Sequence, residues 1–101
     1  MNKGETKAER RIRTLSREFV IVNALGLHAR PAALFVKTSM RFESDIQVEK
    51  DQVVVSGKSI MGLMTLEAGV GAILRVTAVG HDAAEVLNEL QHLIESKFFE
   101  E

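Results

Sequence analysis

The stretch Phe19-Val20-Ile21-Val22-Asn23-Ala24-Leu25-Gly26-Leu27-His28-Ala29-Arg30-Pro31-Ala32-Ala33 passes from strand to helix and sets the frame for its flanks. Phe19 to Val22 is β-branched and aromatic, as strands are, and Asn23 and Gly26 punctuate its end. Pro31 then opens a run with Ala32, Ala33, Phe35, Val36 and Met40 on helical spacing, through about Arg41. Proline suits a first helical turn because the N–H it lacks has no partner there.

Downstream, Ile46 and Val48 alternate with polar residues, Lys50-Asp51 turns the chain, and Val53 to Val55 returns, which predicts a hairpin. Ser59 precedes a short apolar segment, Ile60 to Leu66, bounded by Gly57 and Gly69. Its length fits a short helix capped by Ser59. Ile73 to Val79 alternates as a strand that ends at Gly80. Asp82 with Glu85 three residues on resembles a capping box. Ala83, Val86, Leu87, Leu90, Leu93 and Ile94 then form one apolar stripe of a helix reaching about Lys97. The order β-α-β-β-α-β-α predicts an α+β fold. Its architecture is an open-faced β-sandwich, a four-stranded antiparallel sheet with three helices on one face, where each helix buries its stripe.

With 101 residues and one proline the chain fits a single domain. Apolar residues at 46% supply its core, and a net charge of -1 argues against nucleic acid as the main partner. There is no cysteine, which removes disulfides and thiolate chemistry. No stretch reaches the roughly 20 apolar residues of a membrane span, so membrane insertion is not expected. The first residues lack the apolar run of a secretory signal, and a cytoplasmic location is expected. Residues 1–17 carry Lys3, Lys7, Arg10, Arg11, Arg13 and Arg17 and read as a flexible basic N-terminal extension to a domain over 18–101. The alternative for that arm is contact with an acidic partner or nucleic acid, yet the chain has no Trp or Tyr for a base-stacking platform.

The chemistry concentrates at His28. A histidine entering a helix faces N–H groups without intrahelical acceptors and the positive end of the dipole. An anion on or beside the ring meets those donors. Arg30 adds a cation able to fork onto phosphate oxygens, and Gly26 permits the unusual backbone such a turn needs. From the residues alone this is an anion site, and a capping or surface histidine is the plainer alternative. His81 and His92 have no partners at metal spacing, and Gly69-Val70-Gly71 precedes a strand rather than opening a helix.

Two motifs together, Gly26-Leu27-His28-Ala29-Arg30-Pro31-Ala32 and Gly57-Lys58-Ser59-Ile60-Met61-Gly62-Leu63-Met64, closely resemble HPr, the histidine-containing phosphocarrier family of the bacterial phosphotransferase system. The resemblance covers about Glu18 to Glu95. It implies that His28 accepts a phosphoryl group through Nδ1 from phosphorylated enzyme I and passes it to IIA-type proteins. Backbone N–H groups around Ala29 to Ala32 and the Arg30 guanidinium are the donors it offers to the phosphate. It implies a carrier rather than a turnover enzyme, with no cofactor and no metal, acting as a monomer.

Ser59 matches a position that some members use for regulatory phosphorylation by the HPr kinase/phosphorylase. Leu27, Ile60, Met61, Leu63 and Met64 are the candidate docking patch, although half of the side chains on the short helix must face the core. The alternative function is a regulatory adaptor, in the nitrogen-related branch or on a transcription factor. Phe98-Phe99-Glu100-Glu101 resembles that branch, whereas Ser59 with Ile60-Met61-Gly62 resembles the sugar-transport branch.

Overall fold

The structure, a computed structural model, describes residues 13–100. The strands are β1 (Thr14–Val20), β2 (Asp45–Lys50), β3 (Val53–Ser56) and β4 (Ile73–Val79). The helices are α1 (Ala29–Ser39), α2 (Ile60–Thr65) and α3 (Ala83–Glu95), followed by a short 3₁₀ turn at Lys97–Phe99. The sheet runs in the order β1-β4-β2-β3, and every pairing is antiparallel. This is the expected α+β open-faced sandwich.

Alternation along the strands produces the two faces. Phe19, Ile46, Val48, Leu74, Val76 and Ala78 point to the helices and are buried. Their neighbours face solvent, where the hydroxyls of Ser16 and Thr77 bond across the β1–β4 pair at 2.8 Å. Burial of six apolar side chains on α3 and of Phe35 and Ala32 on α1 closes the core. At roughly 1.5–3 kcal/mol for each large side chain, this one face supplies most of the driving force for folding.

The first strand departs from expectation. It is not Phe19 to Val22 but begins at Thr14, so residues 14–17, assigned to the extension, are paired along β4 from Val79 to Val76. Arg17 disguises the strand, because its charge falls on the inward face. Its guanidinium bridges Asn88 Oδ1 (2.8 Å) and Gln91 Oε1 (3.0 Å) on α3, a polar pin through the edge of the core. The remainder of the predicted extension, residues 1–12, lies outside the described residues. The hairpin turn is centred on Asp51-Gln52 rather than Lys50-Asp51. Both residues have positive φ (50° and 70°), the mirror-image geometry that matches strand twist.

Asp82 does not cap α3 with its side chain. Its carboxylate reaches across to the α1–β2 connection, accepting from the N–H groups of Glu43 (2.8 Å) and Ser44 (2.9 Å) and from the Ser44 hydroxyl. Burial raises its pKa, but the Ser44 hydroxyl, the two N–H groups and nearby His81 outweigh that and hold it below the usual carboxylate range. Because the unfolded chain then binds more protons, this contribution is complete above the ordinary carboxylate pKa and declines as pH falls through the depressed native value. Asp82→Ala leaves the buried Ser44 N–H unpartnered and should cost about 1–3 kcal/mol in urea unfolding at neutral pH. The gap to wild type should narrow on acidification.

Candidate functional site

Three chain segments converge on His28, and backbone bonds fix two of them. Ile21 N–H donates to Ala72 C=O (2.9 Å), and Gly71 N–H returns a bond to Ile21 C=O (2.7 Å). Leu27 N–H donates to Ala68 C=O (2.8 Å), so the turn after β1 is clamped along residues 68–72. Gly26 completes the turn with φ +71°, and a Cβ there would lie 2.5 Å from Ala68 O. Only glycine satisfies both demands.

His28 is the N-cap residue of α1, with extended backbone (φ -82°, ψ -169°). Its carbonyl accepts the first helical bond from Ala32 (2.9 Å), while its side chain makes no capping bond, leaving the imidazole to project from the helix start. The side chain is 37% exposed. Ala32 N–H is therefore engaged and Pro31 has none, which narrows the expected anion donors at Ala29 to Ala32 to the N–H groups of Ala29 and Arg30. No acidic residue stands in this first turn. Arg30 is exposed beside it.

The third segment is the chain after α3. Lys97, Phe98 and Phe99 all have positive φ (58°, 54°, 60°), a left-handed hook that buries Phe98 completely. The hook delivers Glu100 to the site. Glu100 Oε2 lies 2.9 Å from His28 Nε2, and Oε1 accepts from Asn23 Nδ2 at 3.0 Å. The same Asn23 amide donates to Gly26 C=O at 2.8 Å. Desolvation raises the Glu100 pKa, but hydrogen bonds from Asn23 and His28 and the charges of His28 and Arg30 prevail and lower it. Nothing in the local sequence marks Glu100 or Asn23 as site residues. The one signal is the aromatic pair Phe98-Phe99 in an otherwise polar stretch after α3.

Ser59 is the N-cap of α2, as expected, its Oγ accepting from Gly62 N–H at 2.9 Å. The exposed part of the candidate docking patch is smaller than expected. Met61 is 77% exposed, and Ile60 and Met64 are exposed beside it, on a helix that packs against α1. Leu63 and Leu27 belong to the core instead, 0% and 4% exposed, because they face the inner side of α2 and of the Gly26 turn. His81 pairs with Glu43 (2.6 Å), and His92 is exposed. Among the described residues no three metal-ligating side chains gather, and no helix is long and apolar enough to cross a membrane.

Residues 15–96 match the family described as the PTS HPr component phosphorylation site. The chain belongs to the HPr family. It is 42% identical to the phosphocarrier protein HPr of Treponema pallidum over 80% of this chain and 92% of that protein. It is 46% identical to the HPr-like protein Crh of Bacillus subtilis over 71% of this chain and 85% of that one. Among solved structures, HPr of Thermoanaerobacter tengcongensis superposes with a TM-score of 0.83 at 49% identity, covering 86% of this chain and 98% of that one. The HPr frame thus includes the His28 turn, α2 and the sheet together.

Gly26→Ala tests the turn that presents the ring. The left-handed backbone alone costs about 1–2 kcal/mol with a Cβ, and the clash with Ala68 O adds to it. Thermal unfolding should show a clear loss of stability, larger than that of Gly69→Ala, whose added Cβ meets nothing within 4 Å.

Proposed function

We propose that this chain is a phosphocarrier that takes a phosphoryl group on His28 from phospho-enzyme I and donates it to IIA-type proteins. The observation that carries the reading is the half-exposed imidazole at the start of α1, with its Nδ1 unpartnered among the described residues and Arg30 beside it. In the transfer the N–P bond to Nδ1 forms as the donor's bond to phosphorus breaks, and no proton has to move. Such a step needs alignment and donors for the equatorial oxygens more than covalent help. The N–H groups of Ala29 and Arg30, the helix dipole and the Arg30 guanidinium supply those donors. Exposed Ile60, Met61 and Met64 offer a soft apolar surface for more than one partner, and its small size suits contacts that must dissolve quickly. A monomer in the cytoplasm fits this role.

Ser59 supports a second, regulatory reading. Its hydroxyl is half-buried at the start of α2, next to Ile60 and Met61, and the relatives of this chain include a Crh protein. A phosphate there places negative charge within the docking surface and changes which partners bind.

Incubation with enzyme I and labelled phosphoenolpyruvate is the direct test. Wild-type protein should take up a label that is acid-labile and alkali-stable, and His28→Ala should take up none while keeping its fold by circular dichroism. Equal labelling of the two proteins would overturn the assignment of His28. Arg30→Ala should accept the label more slowly, by about tenfold, the equivalent of one charge-assisted hydrogen bond of ~1.4 kcal/mol.

A further inference from the structure

We infer that Glu100, oriented by Asn23, is a positioning residue that fixes the proton of His28 on Nε2 and so leaves Nδ1 bare for attack. The inference rests on the carrier reading for the identity of the acceptor nitrogen, and on geometry for the rest.

A carboxylate only accepts hydrogen bonds, so the 2.9 Å contact between Glu100 Oε2 and His28 Nε2 requires Nε2 to be the donor. In the neutral ring the other nitrogen then has no proton, and its lone pair is the nucleophile. The contact also sets the rotation of the ring about its χ angles, because Glu100 is itself held at its other oxygen by Asn23.

Asn23 shows that this arrangement is built. Its amide donates to two acceptors, Gly26 C=O and Glu100 Oε1, which permits only the orientation with NH₂ toward them. The consequence is that Asn23 Oδ1 is buried without a partner. A buried acceptor left unpaired normally costs stability. The fold accepts that cost while the amide links the turn that carries His28 to the carboxylate that orients it. The hook at Lys97–Phe99, anchored by fully buried Phe98, brings Glu100 there from the C-terminal end of α3.

Glu100 and the phosphoryl group occupy opposite nitrogens, so the carboxylate does not have to leave for transfer to occur. As the N–P bond forms at Nδ1 the ring gains positive character, and the carboxylate at Nε2 stabilises it. When the group departs, the same N–H remains on Nε2 and the ring returns to its starting tautomer. The ring therefore cycles without exchanging a proton with water.

Ring ¹⁵N chemical shifts of His28 test the tautomer without any partner protein. Wild type, at a pH where the ring is neutral, should show a single protonated Nε2 and a bare Nδ1, with an Nε2–H resonance slow to exchange with water. Glu100→Ala should move both shifts toward averaged values, lose that resonance and slow label uptake from enzyme I by about tenfold. Glu100→Gln keeps one acceptor oxygen for two donors; with that oxygen on Asn23 Nδ2–H its NH₂ faces Nε2, so the proton should shift to Nδ1 and uptake should slow at least as much as in Glu100→Ala. Unchanged ring shifts and unchanged uptake in Glu100→Ala would overturn the proposal. So would a lost tautomer with uptake at the wild-type rate, because the contact would then be structural only. Absence of label on wild type would instead overturn the carrier reading, and with it the role of Nδ1 on which this one rests.

Discussion

One face of a four-stranded sheet is apolar and has to be covered, and the rest of the molecule follows from how it is covered. α1 and α3 each bring one stripe to that face, so both helices lie against it and their connections crowd its ends. The turn after β1, the residues before β4 and the hook after α3 meet at one place because their helices and strands are already fixed by burial. The site is the point where these three connections are bound to each other by Leu27–Ala68, Ile21–Ala72 and Asn23–Glu100. Its accuracy is inherited from the core.

Elements whose signal is local were legible in the sequence. β4 begins and ends where its alternation does, and Ser59 caps α2 with the residue type and spacing that predict it. The His28 turn reads directly as well, since glycine, histidine and a first-turn proline each have a stated reason to stand where they do. What was not legible depends on partners remote in sequence. Arg17 looks like the end of a charged tail until Asn88 and Gln91 are placed beside it. Asp82 looks like a helix cap, but the α1–β2 connection supplies better donors than the first turn of α3. Leu63 and Met61 are equally apolar, and only the direction of a six-residue helix decides that one is core and the other surface.

Electrostatics at the site is a balance among few groups. The start of α1 and Arg30 make the surroundings of His28 favourable to an anion. Glu100 brings a negative charge to the same ring, but only to Nε2, and is kept ionised by hydrogen bonds from Asn23 and His28 and by the charge of Arg30. Opposite influences are thus assigned to opposite nitrogens.

The open side of the sheet has a consequence of its own. Ser16, Gln47 and Thr77, and Arg75 with Glu18 and Glu49, stand on the solvent face, where they meet across the strands but touch nothing in the core. Exchange at these positions alters the exterior while leaving the inward rows untouched. A chain of this architecture can therefore change along its outward rows and keep one shape. The sheet works as a partition between residues free to vary and residues that hold the ring in place.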